Sequence, residues 1–227
     1  MIRKLLIGLS VSIALLFGTV STFAADGFGV GVALSGAKIE ASGTETEGGE
    51  TNSGKADNFL PIGSVFAEYT KGLFTIGIDY IPFDADISDA TKTRTDTETS
   101  VTSTATHTTT SRTQKAQAEI TDHTTAYIEI GSTAYVKAGL VQVTVNTQES
   151  LGTGSAYGNI DLDGTLLGVG LKGDWGDNLF YKLEGTYTDY DTLNLTSTVA
   201  RTGVSTNNKI KADLDVTQIK LGLGMKF

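Results

Sequence analysis

The chain has 227 residues, no cysteine, two prolines, 27 glycines and a formal net charge of -9. That length suits one domain, an all-β barrel included, and the lack of cysteine removes disulfides, zinc–thiolate centres and thiol chemistry. An acidic chain with no basic cluster argues against a nucleic-acid partner.

Residues 1–25 differ from the rest. Arg3 and Lys4 precede an apolar run from Leu5 to Val20, and Thr22-Phe23-Ala24-Ala25 closes it with small residues. This is the pattern of a cleaved secretory signal peptide, with cleavage expected after Ala24 or Ala25. Residues 26–227 then form one domain of 202 residues (227 − 25), and loss of Arg3 and Lys4 takes the charge from -9 to -11. No later run is long and apolar enough for a transmembrane helix. Period-two alternation between turn signals recurs instead, which marks strands.

Eight strands are predicted in chain order. The first covers Gly27 to Ala41, followed by a Gly/Glu/Thr-rich loop to about Asp57. The second covers Asn58 to Thr70, with a tight turn at Lys71-Gly72, and the third runs from Leu73 to Ile87. After a polar segment, Ser88 to Ala118, the fourth spans Glu119 to Ile130; a turn at Gly131 to Thr133 leads to the fifth, ending near Ser150. The sixth covers Asn159 to Asp174, and Trp175 to Asn178 form a turn. The seventh runs from Leu179 to Val199 and the eighth from Asn208 to Phe227. Connections after the odd strands are long and polar, while those after the even strands have two to four residues.

An even strand number, this alternation of short and long connections and an export signal resemble the bacterial outer-membrane barrels. The likeness covers residues 26–227 and is to the small eight-stranded group with the OmpA membrane domain, OmpX and the Opa proteins. It implies an all-β, antiparallel up-and-down transmembrane β-barrel, integral to the outer membrane. The final strand, with Ile219, Leu221, Leu223, Met225 and Phe227 in one phase, is similar to the C-terminal signal read by the outer-membrane assembly machinery. That machinery, membrane lipid and lipopolysaccharide are therefore the implied partners.

The face opposite the apolar one decides which side meets lipid. It carries Gly27, Gly29, Gly31 and Ala33 in the first strand, Thr75, Gly77 and Asp79 in the third, Gly168, Gly170 and Lys172 in the sixth, and Lys220, Gly222 and Gly224 in the eighth. A soluble, lipocalin-like barrel would need a well-solvated outer face, and glycine weakens strands there. Glycines with scattered charges suit a crowded interior, so the apolar face points to lipid. The turn at Lys71-Gly72 is expected to pair Tyr69 with Phe74 and Glu68 with Thr75. Phe28, Tyr69, Phe74, Tyr181 and Phe227, with Trp175, would form one aromatic girdle, and Phe59, Tyr80 and Tyr187 the other.

The inward phase contains Glu68, Asp79, Glu129, Lys137, Lys172, Lys182, Glu184 and Lys220, four acids and four bases. Eight strands leave room only for side chains, and buried charges persist only when paired. A salt-bridged plug and a closed polar lumen are expected. Four Asp-x-Asp pairs extend the outward phase to where strands leave the hydrocarbon: Asp84 with Asp86, Asp161 with Asp163, Asp189 with Asp191, and Asp213 with Asp215. They are read as a carboxylate collar of solvated acids. The sharper alternative is a Ca²⁺ or Mg²⁺ site bridging to lipopolysaccharide phosphates; no other cofactor is expected. In the last strand Ile210, Ala212, Leu214 and Val216 are apolar in the opposite phase, so a bulge near Thr217 would turn Asp213 and Asp215 inward.

Thr91 to Thr113 alternates threonine with charges and reads as an extended hairpin, or else as a disordered loop. His107 and His123 are the two histidines. Neither has a nucleophile–base–orienter set around it, and His123 reads as solvent-exposed, so no enzyme is expected. The composite reading is a structural or surface-interaction barrel acting through its loops, with a small solute pore as the alternative. A lateral-exit hydrophobic channel of the OmpW kind, also eight-stranded, requires an apolar lumen, and the inner charges argue against it.

Overall fold

The computed structural model describes residues 26–47, 50–87, 92–101, 107–148, 156–198 and 207–227. The expected signal peptide, residues 1–25, lies outside the described residues. The strands are β1 (Gly27–Glu47), β2 (Glu50–Lys71), β3 (Phe74–Ile81), β4 (Ala85–Asp86), β5 (Lys92–Val101), β6 (His107–Ala116), β7 (Ala118–Gly131), β8 (Ala134–Thr147), β9 (Ile160–Trp175), β10 (Leu179–Tyr190), β11 (Leu193–Thr196) and β12 (Lys209–Lys226).

The sheet order is β1-β2-β3-β7-β8-β9-β10-β12, with β4 continuing β3 along β7, β11 continuing β10 along β12, and β12 pairing back to β1. This is a closed, eight-stave antiparallel barrel. Its stagger can be read from the pairs. From Tyr190 the ladder runs through Gly164, Val141, Thr125, Asp79, Phe66, Gly31 and Gly224 and returns to Phe180, ten residues down the same stave (190 − 180). Closure with such a stagger tilts the strands by roughly 35–45°.

Three details differ from the sequence expectation. Lys71 pairs with Phe74 and Tyr69 with Ile76, so the turn residues are Gly72 and Leu73 rather than Lys71-Gly72. Gly72, at φ 62, supplies the positive first position that a II′ hairpin needs. The register moves by two residues, which keeps every side chain on its expected face. The expected loop from residue 42 to 57 is instead ladder: β1 and β2 pair out to Glu47 with Glu50. Thr and Ser alternate through this stretch and favour strand. The expected third and seventh strands are each broken near the top. Residues 82–84 separate β3 from β4, and Asp191 and Thr192 separate β10 from β11. Within the Thr91–Thr113 segment, β5 and β6 pair as a separate two-stranded ladder.

A belt of exposed apolar side chains encircles the barrel. It includes Val30, Val32 and Leu34 on β1, Ile76 and Ile78 on β3, Leu167 and Leu171 on β9, and Ile219, Leu221 and Leu223 on β12. Phe28, Tyr69, Phe74, Trp175, Tyr181 and Phe227 are exposed at its short-turn edge, and Phe59, Tyr80 and Phe83 at the other. An apolar belt between aromatic edges is the outer surface of a membrane-spanning barrel.

Above the belt the two faces exchange character. Lys38, Glu40, Asp57, Asp161 and Asp163 face outward, while Ile39, Val143, Val145, Leu162, Leu214 and Val216 are buried inside. The same strands thus wrap polar groups in lipid below and apolar groups in water above. β12 makes this change without a bulge: its burial alternates through Leu214, Val216, Gln218, Lys220 and Gly222, leaving Asp213 and Asp215 on the outer face.

Candidate functional site

The lower interior is a charged floor. Lys182 Nζ lies 2.8 Å from Glu68 Oε2, 2.5 Å from Glu129 Oε1 and 3.4 Å from Glu184 Oε1. Lys137 donates to both Glu184 oxygens at 3.1 Å, and Lys172 to Glu129 Oε2 at 3.3 Å and Thr75 Oγ1 at 3.0 Å. Lys220 donates to Asp79 Oδ2 at 2.9 Å, and Ser64 donates to the same oxygen. All eight inner charges are buried and sum to zero. Tyr127 and Tyr135 complete the layer, their hydroxyls donating to Glu68 Oε2 (2.9 Å) and Glu184 Oε1 (2.6 Å). The free space left among Phe66, Asp79, Tyr127, Lys137, Lys182, Glu184 and Lys220 is about 10 Å³, about one water.

Over this floor the lumen is apolar, which differs from the expected polar lumen. Ile39, Ile62, Ile81, Ile120, Val141, Val143, Val145, Leu162, Leu166, Tyr190, Leu193, Leu195, Leu214 and Val216 form one buried cluster, and Tyr157 from the β8–β9 connection joins it. Sequence reading misses this half because it follows only glycines and charges on the inner phase. The signal is present in the opposite-phase apolar run of β12.

His123 is inside the barrel, a correction to the exposed position read from sequence. The β7–β8 ladder shifts register between Thr121 and Thr124, and Asp122 sits at φ 51. His123 keeps the inner phase of Thr125, Tyr127 and Glu129, and the bulge's one extra residue re-aims the strand beyond it. His123 packs edge-on to Tyr190 with ring centroids 6.5 Å apart, and Ile120 above it turns into the core.

The wall beside the apolar half is incomplete. The β2–β3 ladder stops at Val65 with Tyr80, and β4 pairs with β7 rather than with β2. Along this seam Phe83 is exposed and lies over Gly63, where an added Cβ would stand 3.3 Å from its ring. Asn58 reaches across, its amide donating to the Asp86 carbonyl oxygen at 2.9 Å. The chain's two prolines, Pro61 and Pro82, border the seam, one on each side. Proline cannot donate to a ladder and belongs at strand edges, so these two residues are the sequence signal for it.

The eight aspartates of the expected collar lie on the outer face at or above the end of the belt, but they do not form one continuous ring of strand residues. Asp84 and Asp191 are the exceptions. The sequence pattern places Asp191 inside the seventh strand, and the structure corrects this: β10 ends at Tyr190, and Asp191 is exposed in the break before β11. Its backbone N–H donates to the Asp163 carbonyl oxygen at 2.8 Å, so it is held by its main chain rather than through its carboxylate. Aspartate is disfavoured in strands and suits turns, which is the physical reason the ladder stops at Asp191. Asp84 lies in the corresponding break between β3 and β4, two residues after Pro82.

The other collar acids contact neutral side chains: Thr144 with Asp161, Gln142 with Asp163, Thr192 with Asp213, Tyr187 with Asp215 and Gln117 with Asp86. Asp189 stands opposite Asp215, Asp215 opposite Glu40, and Glu40 opposite Asp57, a row of four carboxylates across four staves. Lys38 meets Glu40 at 2.8 Å. Among the described residues no three His, Cys, Asp or Glu converge as a metal site, Asp191 and its seven companions included.

No protein-family model matches the chain, and no curated protein matches it in sequence. Among solved structures, the outer membrane protein OprG from Pseudomonas aeruginosa superposes with a TM-score of 0.56 at 12% identity, over 92% of this chain and 99% of that one. The fold is that of a small outer-membrane β-barrel. The outer membrane protein AlkL, studied in DMPC bilayers, gives 0.49 at 12% identity over 92% of this chain and 95% of that one. The outer membrane protease OmpT from Escherichia coli gives 0.40 at 10% identity over 92% and 99%.

Proposed function

We propose that this barrel takes small apolar molecules from the cell exterior into the upper half of its lumen and releases them sideways, through the β2–β3/β4 seam, into the outer leaflet. One observation carries the reading: an apolar interior sits directly above a sealed charged floor and beside the unzipped stretch of wall. The floor opposes axial passage, because moving through it means separating buried ion pairs. The seam is the alternative exit, since its opening breaks no β2–β4 ladder, and what spans it is the Phe83 ring over Gly63 and the Asn58–Asp86 hydrogen bond. Soluble barrels of eight strands hold one small ligand in such an interior.

The test is a lock on the seam. The chain has no cysteine, so Gly63→Cys with Phe83→Cys introduces a unique pair that a short bismaleimide can bridge. Entry of the lipid-sensing dye N-phenyl-1-naphthylamine is followed across bilayers with a lipopolysaccharide outer leaflet. Wild type and the unbridged pair should speed dye entry, and the bridged pair should match protein-free bilayers. Equal entry with and without wild-type protein would sink the reading.

A second reading is a sealed structural or surface-interaction barrel. It is favoured by the close packing of the upper interior, where Ile39, Val143 and Val145 are at most 2% exposed. That reading expects dye entry indifferent to the protein.

A further inference from the structure

The β5–β6 hairpin stands outside the barrel ladder. Among the described residues β5 and β6 pair only with each other, from Lys92 with Ala116 to Val101 with His107, without a register shift. A two-stranded ribbon alone in water is marginally stable and gains from further strands. Edges are commonly protected from such additions by proline, by a bulge or by charge. β5 has no proline, glycine or bulge, and its charges carry both signs.

Period two divides β5 cleanly. Thr93, Thr95, Thr97 and Thr99 share one face, and Lys92, Arg94, Asp96 and Glu98 share the other. Along that second face the order is base, base, acid, acid. Within the ribbon only Asp96 stands opposite a residue of the other sign, Arg112. Lys92, Arg94 and Glu98 stand opposite Ala116, Gln114 and Thr110. The hairpin belongs to the connection between β4 and β7, on the side of the long connections, so its free edge lies outside the membrane.

We infer that β5 pairs antiparallel with β5 of a second copy of this chain, about a twofold axis at Thr95, so that two ribbons become one four-stranded sheet. With Thr95 opposite Thr95, Arg94 falls opposite Asp96 and Lys92 opposite Glu98, each twice by symmetry. Every charge of β5 then meets its opposite, and Thr93 meets Thr97 on the other face. Neighbouring registers lose this match. A two-residue slip sets Arg94 against Arg94 or Asp96 against Asp96, and like charges directly opposite destabilise a sheet. A one-residue slip brings the threonine face of one ribbon beside the charged face of the other. β6 carries Arg112 and Lys115 but no acid, so two β6 edges have no opposite charges to exchange. A β5–β6 contact between copies would be head-to-tail, whereas β5 on β5 is self-complementary and closes as a dimer. The pairing is independent of apolar capture through the seam.

The chain has no cysteine, so single cysteines report the register. The refolded protein in detergent micelles carries Thr93→Cys, Thr95→Cys or Thr97→Cys and is oxidised with copper phenanthroline. Thr95→Cys should link to itself, because directly opposite residues of an antiparallel pair have Cα atoms about 4.5–5.5 Å apart, within disulfide reach. Thr93→Cys and Thr97→Cys should link poorly alone, being offset from their own copies by about 13 Å along the strand, and well when mixed. Lys92→Glu in the Thr95→Cys background turns two favourable pairs into like-charge pairs and should cut the yield of linked dimer roughly tenfold. Adding Glu98→Lys exchanges the two signs and should restore it. Equal linking from all three positions, a yield indifferent to Lys92→Glu, or a loss that Glu98→Lys does not recover would each overturn the β5–β5 pairing.

Discussion

Tyr135 lies across Gly170, its direct partner between β8 and β9, so closely that a Cβ on the glycine would stand 2.4 Å from the ring's Cζ. Tyr127 uses Gly77 in the same way, also at 2.4 Å. An aromatic ring covering a cross-strand glycine restores the packing the glycine lacks. Here it also aims each hydroxyl sideways onto Glu184 or Glu68. Gly170→Ala should therefore push Tyr135 off its glutamate and destabilise the barrel by about 1–3 kcal/mol, the usual cost of overpacking. Denaturant unfolding in lipid vesicles, with Tyr135→Phe/Gly170→Ala beside the single change, checks it. The double variant has no hydroxyl to misplace and should lose less than the two single changes summed.

Glu129 is the acid on which the floor turns, because Lys182, Lys172 and Lys137 all lie within 3.7 Å of it. Glu129→Gln leaves the layer with one uncompensated buried positive charge. The expected loss is about 3–5 kcal/mol, as for other buried pairs broken on one side. Lys182→Met added to Glu129→Gln restores neutrality and should recover part of it. An unfolding series on the two single variants and the double measures the coupling.

Planar-bilayer recordings of the refolded protein should be silent, since about 10 Å³ of free space in the floor holds no continuous water path. Lys220→Ala removes the cation over Asp79, at the top of the floor, and leaves the Lys182 layer beneath it. It should be silent too. Reproducible conductance steps in wild type would replace a sealed floor with a pore.

At the rim, Asp189 stands just above the apolar belt, opposite Asp215. Its carboxyl is pushed above the ordinary aspartate range, first by partial burial and then by the Asp215 charge. A carboxyl whose folded pKa is raised favours the fold most when protonated. That contribution is present below the unfolded pKa and is lost as pH rises through the folded one. Wild type should therefore lose rim stability as pH rises through the acid range. Asp215→Asn should flatten the loss and lower the Asp189 titration midpoint, read from carboxyl carbon NMR shifts.

Some of this molecule is legible in its sequence for a plain reason. Ile219 to Phe227 alternates without interruption, and the face opposite holds glycines that water-facing strands avoid, so outside and inside can be told apart. Charges such as Lys172 and Glu184 fall in the inner phase by counting alone. Which lysine meets which glutamate is another matter. Lys182 reaches Glu68 across 114 positions only because the ten-residue stagger brings β2 level with β10. No local pattern encodes that stagger. Alternation from Glu129 through Tyr127 and Thr125 already puts His123 on the inner face, and its exposed reading follows only its place near the strand's outer end; what counting misplaces is Ile120, because the extra residue at Asp122 reverses the alternation above it. Counting also carries the seventh strand through Asp191, because alternation alone does not show where a ladder lets go. The upper apolar interior is missed at Leu214 and Val216, where strands taken to cross only lipid in fact continue into water.

The exchange of inner and outer polarity along each stave has a mechanical consequence. A barrel with one greasy belt and uniform walls could ride up or down as its bilayer thickens or thins. This one is keyed at a single depth. Sinking by one pair of residues would drag Asp189, Asp215 and Lys38 toward hydrocarbon, where a lipid-facing charge becomes costly as it nears the midplane. Rising by as much would strip lipid from Ile219 and Leu140, at the upper edge of the belt. The seam bordered by Tyr80, Phe83 and Phe59 is thereby pinned at the level of the lipid headgroups, whatever the thickness of the membrane below it.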